Sequence, residues 1–232
     1  MIPKVLNEKD TFKLVRDKKM NLARYGDGEF KLARGASIRL QSGSKEIQYH
    51  MQNILMNPNP NVLPAIQNIY DPKLFNMLPP GKKKFWQTYK SPEILKFIDP
   101  GRVYGSSFVG RKDNAPWISC DDILEWRTLW EDQVVISVVG HVKWDIDIID
   151  NTKKKITING PPSEAFSEFD TIYKKIKDAW EKENAYVVVL HLGPTATILA
   201  NELAKDGIWA IDLGSWQFNY SCECRKMGHV YK

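Results

Sequence analysis

The sequence predicts an α/β fold, a Rossmann-like and mostly parallel sheet flanked by helices. Continuous apolar runs without alternation, such as QVVISVVG at 133–140, indicate strands that are buried on both faces, as in parallel sheets. Residues 185–214 follow the order strand, tight turn, helix, strand, with Gly207 as the C-terminal cap of the helix. Strand–helix–strand units of this kind form right-handed crossovers, which favours a sheet covered by helices on both faces.

The first half of the chain mixes helices, a strand and a loop. The pattern predicts a helix over roughly 8–19, a strand in MNLARY at 20–25, a helix with a serine start at 42–57, and a helix at 119–132 with a capping-box-like start at Ser119 and Asp122. The Pro- and Asn-rich stretch 57–81 is expected to be a loop region that contains short helices.

The second half is simpler. After the strand at 133–140, the segment 154–166 predicts a short strand and a Gly-Pro-Pro turn, and a helix then runs to about Trp180. No repeat or low-complexity segment occurs, and 232 residues fit one domain, 1–232, with ample material for a hydrophobic core.

Composition and charge narrow the class of ligand. The net charge of +5 is spread over short clusters such as 82–84 and 153–155. This distribution suits an anionic small ligand or a weak contact with a membrane surface. A nucleic-acid-binding protein usually carries a denser basic face with interleaved aromatic residues, so nucleic acid is not expected as a partner.

The termini and cysteines bear on location. The charged N-terminal segment does not have the pattern of a signal peptide, and no run approaches the roughly 20 apolar residues of a membrane span. Three cysteines make an odd count, which favours a reducing cytoplasm. Cys222, Cys224 and His229 match no common zinc spacing, so separate thiols are favoured over a metal site.

Four predicted strands end in unusual turns, at 24–29, 139–143, 159–163 and 192–195. Ligands of open α/β sheets bind outside the carboxyl ends of the strands. Gly193, Pro194 and Thr195 open a helix, whose free N–H groups form an anion site to which Thr195 adds a hydroxyl. Each of these four turns is also compatible with an ordinary strand-to-helix connection that binds no ligand.

Two of the other turns offer similar chemistry. Gly160 and Pro161 lead into a helix, whose N-terminus is a second position that attracts anions. Gly140 lets the backbone approach a ligand closely, while His141 and Lys143 add positive or hydrogen-bonding groups. Together with a carboxylate pair upstream, the four turns predict a binding site at one edge of the sheet.

That pair lies in RYGDGEF, where Asp27 and Glu29 flank Gly28. Carboxylate oxygens suit Mg²⁺ or Mn²⁺, and in a turn bent at Gly28 both acids could reach one ion directly or through water. Arg24 is a candidate to bind a phosphate or to pair with the acids, and Gly26 belongs to the same turn. A solvated surface turn is the alternative.

The N-terminal RYGDGEF and the C-terminal LGPTATILANELAKDGIWAIDLG resemble the GT-D-fold glycosyltransferases, bacterial enzymes that extend glycans with a nucleotide-sugar donor. Looser similarity occurs at 105–113, 138–145 and 156–170. The resemblance implies a GT-D-type sheet, a UDP-sugar donor such as UDP-glucose, and a divalent metal at a D-x-E motif. That motif falls on Asp27 and Glu29.

The sequence departs from the family after its D-x-G motif. The family continues with His, Asp and Glu before a Tyr, whereas this chain has Ser215, Gln217 and Asn219 at those places. Asp212, Gly214 and Tyr220 still fit. A non-catalytic nucleotide- or glycan-binding module that partners a transferase is therefore the alternative function.

The resemblance and the residues together predict a mechanism. A metal held by Asp27 and Glu29 offsets charge on the departing diphosphate, and Arg24 and Thr195 add fixed positive potential. His141 and Lys143 are further diphosphate candidates, and Asp212 orients the acceptor or acts as base. The expected acceptor is a lipid- or protein-linked glycan hydroxyl, with other glycosyltransferases as possible partners. A metal-dependent phosphoesterase or nuclease usually has a denser Asp/His cluster, and the chain has only four His.

Overall fold

The computed structural model describes residues 2–140 and 149–214. Within them, eight parallel strands form one sheet in the order β1-β4-β3-β2-β8-β7-β5-β6. The strands are β1 (Lys4–Val5), β2 (Asn21–Arg24), β3 (Val62–Ile66), β4 (Val103–Ser106), β5 (Val134–Val139), β6 (Lys154–Asn159), β7 (Val187–His191) and β8 (Ala210–Asp212). The predicted α/β class with a parallel sheet is confirmed.

Nine α-helices connect the strands of this described part. They are α1 (Glu8–Lys18), α2 (Asp27–Ala33), α3 (Lys45–Met56), α4 (Pro72–Met77), α5 (Pro80–Gln87), α6 (Pro92–Leu95), α7 (Cys120–Glu125), α8 (Phe169–Glu183) and α9 (Pro194–Lys205). Short 3₁₀ helices cover Thr88–Lys90, Trp126–Leu129 and Ala165–Glu168. The helices predicted at 8–19 and 42–57 are confirmed, whereas the one predicted at 119–132 divides into α7 and a 3₁₀ turn.

The main error of the sequence-based prediction is the loop assigned to 57–81. It contains α4, as expected of short helices, but also β3, which lies inside the sheet between β2 and β4. Pro64 stands in the middle of β3 and pairs in register with Ala23. Because proline cannot donate to a ladder, it argues against a strand in sequence, and here the burial of all five residues of β3 outweighs it.

The two halves of the chain build the two halves of the sheet. Strands β1 to β4 come from residues 4–106 and strands β5 to β8 from residues 134–212. They join where β2 pairs with β8, with Leu22 opposite Ile211. The connection from β5 leads to β6 on one side, and the connection from β7 leads to β8 on the other. Such a reversal opens a crevice at the carboxyl ends of β5 and β7.

Helix α9 packs against the centre of the sheet, on β2, β3, β7 and β8. Ten of its 12 residues are buried, so its first turn is fixed by packing on almost every side. The start of this helix is therefore a rigid feature beside the crevice.

Two findings concern the expected location. Among the described residues, no helix is long and apolar enough to cross a bilayer. Cys120, the first residue of α7, is disulfide-bonded, so the odd number of cysteines is a weak argument for a reducing compartment.

Candidate active site

Arg24, the last residue of β2, is buried and ties three strand ends together. Its Nη2 and Nε donate to the carbonyl oxygen of Ser107 at 2.6 and 3.2 Å, and its Nη1 donates to the carbonyl oxygen of Leu213. Burial lowers the pKa of Arg24 to about 10, although the nearby Asp212 carboxylate favours the charged form. Arg24 thus joins the loops after β4 and β8 to β2, and its predicted contact with a phosphate stays a prediction.

Asp212 ends β8 beside Arg24 and is only 3% exposed. Its carboxylate accepts hydrogen bonds from the Arg24 backbone N–H at 3.3 Å, the Thr197 hydroxyl at 3.1 Å and the Gly214 N–H at 3.0 Å. Burial raises the pKa of Asp212 to about 6, against the opposing effect of Arg24. A carboxyl group with a pKa this close to neutrality can exchange a proton during a reaction.

The D-G-E tripeptide begins helix α2 instead of forming the expected open turn. Asp27 is the first helical residue, and Glu29 reaches back so that its Oε2 accepts the Gly26 N–H at 2.7 Å. A Cβ atom on Gly26 would lie 2.9 Å from this oxygen, so the close return of Glu29 depends on glycine. Burial, together with the negative charge of Asp212, raises the pKa of Glu29 to about 7.

The metal hypothesis requires that Asp27 and Glu29 can reach one ion. Residues two apart on a helix do not share a face, but the return of Glu29 towards Gly26 brings its carboxylate to the end of α2 where Asp27 lies. Asp27 is half-exposed and forms an ion pair of 2.8 Å with Lys31. In the described residues no group of three or more His, Cys, Asp or Glu side chains could hold an ion. Two carboxylates still fit Mg²⁺ or Mn²⁺ where phosphates and water complete the shell.

Thr195 lies in the first turn of α9 and is 1% exposed. Its hydroxyl has no hydrogen-bond partner among the residues that the structure describes. Buried hydroxyls without a partner are rare, and such a group calls for an explanation. Since the N–H groups at a helix start attract anions, an anionic ligand at this turn would supply the missing acceptor.

The glycines after β5 and β6 have a packing role. A Cβ atom on Gly160 would lie 2.7 Å from Cδ1 of Leu192, and one on Gly140 would lie 3.1 Å from the carbonyl oxygen of Pro161 and 3.2 Å from Leu192. Both turns therefore lie against Leu192, beside the start of α9. A direct contact of Gly140, Gly160 or Pro161 with a ligand stays a prediction.

Several predicted residues lie outside the described part of the chain. They are His141 and Lys143 after β5, and Ser215, Gln217 and Asn219 after Gly214.

The structure also adds polar residues that the sequence did not single out. The Thr197 hydroxyl donates to the Arg24 carbonyl oxygen at 2.9 Å as well as contacting Asp212, and Nδ1 of His191 lies 3.0 Å from the carbonyl oxygen of Gly214. Gln67, just after β3, donates to the Tyr25 carbonyl oxygen. His191 carried a signal in sequence, because it is a lone polar residue at the end of an apolar strand.

Comparisons with known proteins agree with this architecture. A probable glycosyl transferase, Gly, of Streptococcus gordonii is 23% identical over 98% of this chain and 34% of its own length. The glycosyltransferase GlyD of Streptococcus pneumoniae serotype 4 is 22% identical over 94% of this chain and 27% of its own length. The chain therefore spans about a third of the length of these curated relatives.

Solved structures show the same fold. A domain of unknown function 1792, described as having a distinct glycosyltransferase fold, superposes with a TM-score of 0.84 at 24% identity, covering 100% of this chain and 84% of that one. A glycosyltransferase from Streptococcus sanguinis superposes with a TM-score of 0.83 at 23% identity, covering 99% of this chain and 87% of that one. The sequence profile of the GT-D-fold glycosyltransferases matches residues 22–230, and the chain belongs to that family.

Proposed function

We propose that this chain is a metal-dependent glycosyltransferase that moves glucose or a similar hexose from a UDP-sugar to a hydroxyl of a bacterial glycan. The acceptor is part of a surface polysaccharide or of a glycoprotein glycan. One observation carries the proposal. The acidic start of α2 and the start of α9 lie at the carboxyl end of the sheet and are linked through Asp212, and the Thr195 hydroxyl at the start of α9 has no partner within the described residues.

Each group at this edge has a role in the proposed reaction. The start of α9 and the Thr195 hydroxyl bind phosphate oxygens, and the buried guanidinium of Arg24 contributes fixed positive potential. Asp27 and Glu29 would hold the Mg²⁺ or Mn²⁺ ion, which, when bound, offsets charge on the diphosphate leaving group. Asp212 orients the acceptor hydroxyl or takes its proton.

The proposed setting follows from the donor and the acceptor. We place the protein in the cytoplasm, with weak contact to a membrane surface where the acceptor is lipid-linked. Because the curated relatives are about three to four times as long as this chain, further domains or other glycosyltransferases are natural partners in glycan extension.

The metal role is tested with Glu29→Gln and Asp27→Asn. Glutamine retains an oxygen that can accept the Gly26 N–H, so Glu29→Gln removes the charge while keeping the start of α2 intact. We expect metal-dependent turnover of UDP-glucose to fall about 100-fold or more, because several kcal/mol of charge stabilisation are lost.

Glu46→Gln, at the first turn of α3, is the control, since it makes the same chemical change at another helix start. Wild-type rates in both site variants, with unchanged melting temperatures, would show that the metal is not held by this pair.

The alternative function is a non-catalytic module that binds nucleotide or glycan for a partner transferase. The observation that favours it is the replacement of three ionisable family residues by Ser215, Gln217 and Asn219. Calorimetric titration with UDP and Mn²⁺, followed by a radiolabelled-donor assay, separates the two functions. Binding without turnover supports the module.

A further inference from the structure

The connection between α2 and α3 contains a small hairpin, which we call the strap and define as residues 38–42. Ile38 and Gln41 pair as an antiparallel bridge, with the Ile38 N–H 2.9 Å from the Gln41 carbonyl oxygen. Leu40 lies at the tip of the strap, and 46% of its surface is exposed.

The strap lies between the two elements that form the proposed donor site. Cδ1 of Ile38 is 3.1 Å from the position that a Cβ atom on Gly28 would take, in the first turn of α2. Cδ1 of Leu40 is 3.8 Å from the corresponding position on Gly193, at the start of α9. The contact with Gly28 depends on glycine, because a Cβ atom there would crowd Ile38, whereas the distance to Gly193 leaves Leu40 at ordinary van der Waals separation.

Glu164 fastens the strap from the other half of the chain. Its Oε1 accepts the Ser42 N–H at 2.9 Å and the Ser42 hydroxyl at 2.8 Å, and its Oε2 accepts the Gln41 side-chain amide at 2.8 Å. The Glu164 N–H donates to the Leu40 carbonyl oxygen at 2.8 Å. Glu164 has a left-handed backbone with φ of 55°, an uncommon conformation for a residue with a side chain.

A second connection supports the same attachment. The backbone N–H of Phe166 donates to Oε1 of Gln41 at 3.2 Å, so both ends of the Gln41 amide are bound to the segment after β6. The strap is therefore held at its carboxyl end by the loop that follows Gly160 and Pro161, and it rests at its tip on the start of α9.

We infer that Glu164 is a positioning residue that holds Leu40 over the first turn of α9, where Leu40 forms an apolar wall of the donor site and excludes water. This role rests on the proposed function. An apolar wall lowers the local dielectric and strengthens the attraction between phosphate oxygens and the helix start. It also suppresses donor hydrolysis, in which water attacks the anomeric carbon, the bond to the diphosphate oxygen breaks, the diphosphate leaves with the electron pair, and the proton of water passes to solvent.

The attachment of the strap by Glu164 is tested with Glu164→Ala. We expect the KM for the donor to rise about tenfold and the ratio of donor hydrolysis to glycosyl transfer to rise several-fold. Glu164→Gln keeps an oxygen for Ser42 and is expected to restore most of both values. Glu168→Ala is the matched control, since it removes the same charge from an exposed position four residues away and should leave both values unchanged.

The apolar wall is tested with Leu40→Ala, which shortens an exposed side chain and leaves every hydrogen bond of Glu164 in place. Leu40→Ala should raise the ratio of donor hydrolysis to glycosyl transfer, as Glu164→Ala does. Leu40→Met keeps the side-chain volume and should leave this ratio unchanged. The double variant should be no worse than the worse single variant, because both changes remove the same wall.

A wild-type hydrolysis ratio and donor KM in both Glu164→Ala and Leu40→Ala would overturn the role of the strap while leaving the proposed function standing. A wild-type chain that neither binds UDP nor turns over any UDP-sugar would overturn the proposed function, and the role of Leu40 with it.

Discussion

At the scale of single residues, the buried charges of Arg24 and Asp212 dominate the site. They sit at the ends of neighbouring strands, and each compensates part of the cost of burying the other. Burial still displaces the pKa of Asp212 from 3.8 to about 6, so folding favours its protonated form. Its contribution to stability is therefore fully present below about pH 4 and is lost as the pH rises through about 6.

Asp212→Asn should remove this pH dependence. Arg24 lowers the pKa of Asp212 and Asp212 raises that of Glu29, and both neighbours remain in the variant. Between pH 4 and 7, the unfolding free energy of the wild type should fall relative to that of the variant by on the order of 3 kcal/mol. Urea unfolding at several pH values in EDTA measures the difference, and parallel curves for the two proteins would contradict the prediction.

The buried hydroxyl of Thr195, which has no partner in the described part of the chain, gives a second prediction. Thr195→Val should raise the unfolding free energy by up to about 1 kcal/mol, since it removes a buried hydroxyl that lacks a hydrogen bond there, and should weaken UDP binding about tenfold. Thr197→Val is the control on the same helix. It loses real hydrogen bonds to Arg24 and Asp212 and should be destabilised by about 1 kcal/mol. Equal destabilisation of both variants would show that Thr195 has a partner in the protein.

The sequence identified most of the chemistry at this scale but not its partners. Asp27 and Glu29 stood out as a carboxylate pair at a turn after a strand, Thr195 as part of a helix start, and Asp212 through the resemblance to the family. The contacts of Arg24 with two backbone carbonyl groups did not, because Ser107 and Leu213 are far away in sequence and reach Arg24 only after the strands are ordered.

At the scale of elements, the start of α9 depends on an unusual backbone. Gly193 has φ of 54° and ψ of −145°, a region that is close to one only glycine occupies. Gly207, after the other end of the helix, also has a positive φ of 71°, but nothing lies near its added Cβ atom. The two glycines thus allow a comparison on one helix.

Gly193→Ala should lower the unfolding free energy by about 2 to 3 kcal/mol, and Gly207→Ala by about 1 kcal/mol. The larger loss reflects the backbone of Gly193, since its φ and ψ lie near a region that residues other than glycine avoid. Chemical unfolding of both variants measures the difference. A loss at Gly193 no larger than that at Gly207 would mean that the start of α9 adapts without strain.

Elements were predictable where a local pattern agreed with the tertiary structure. Helix α3 has its serine cap in sequence, and β5 and β7 are continuous apolar runs. Helix α2 was interpreted as a turn, because glycine in the first turn is a poor helix former; the return of Glu29 to Gly26 stabilises it nevertheless. Strand β3 was missed because the Pro- and Asn-rich stretch 57–81 was interpreted as a loop, and the burial of Pro64 between two strands is a property of the whole sheet.

At the scale of the whole molecule, one sheet unites both halves of the chain through β2 and β8. Helix α9 reinforces the join, since it packs on β2 and β3 from one half and on β7 and β8 from the other. We therefore predict a single cooperative unfolding transition, as for one domain. Urea midpoints from far-ultraviolet circular dichroism and from tryptophan fluorescence should coincide, and two separated transitions would indicate two independently folding halves.

The sequence by itself determined the α/β class, the parallel strands of the second half, and the residue types that supply the candidate site. These are local properties, set by runs of apolar residues, by caps and by turns. The tertiary structure alone decided that β2 lies beside β8, that Arg24 binds the loops after β4 and β8, and that Glu164 fastens the strap at Gln41 and Ser42. Those contacts join residues 83 or more positions apart, and local patterns do not encode the strand order that brings them together.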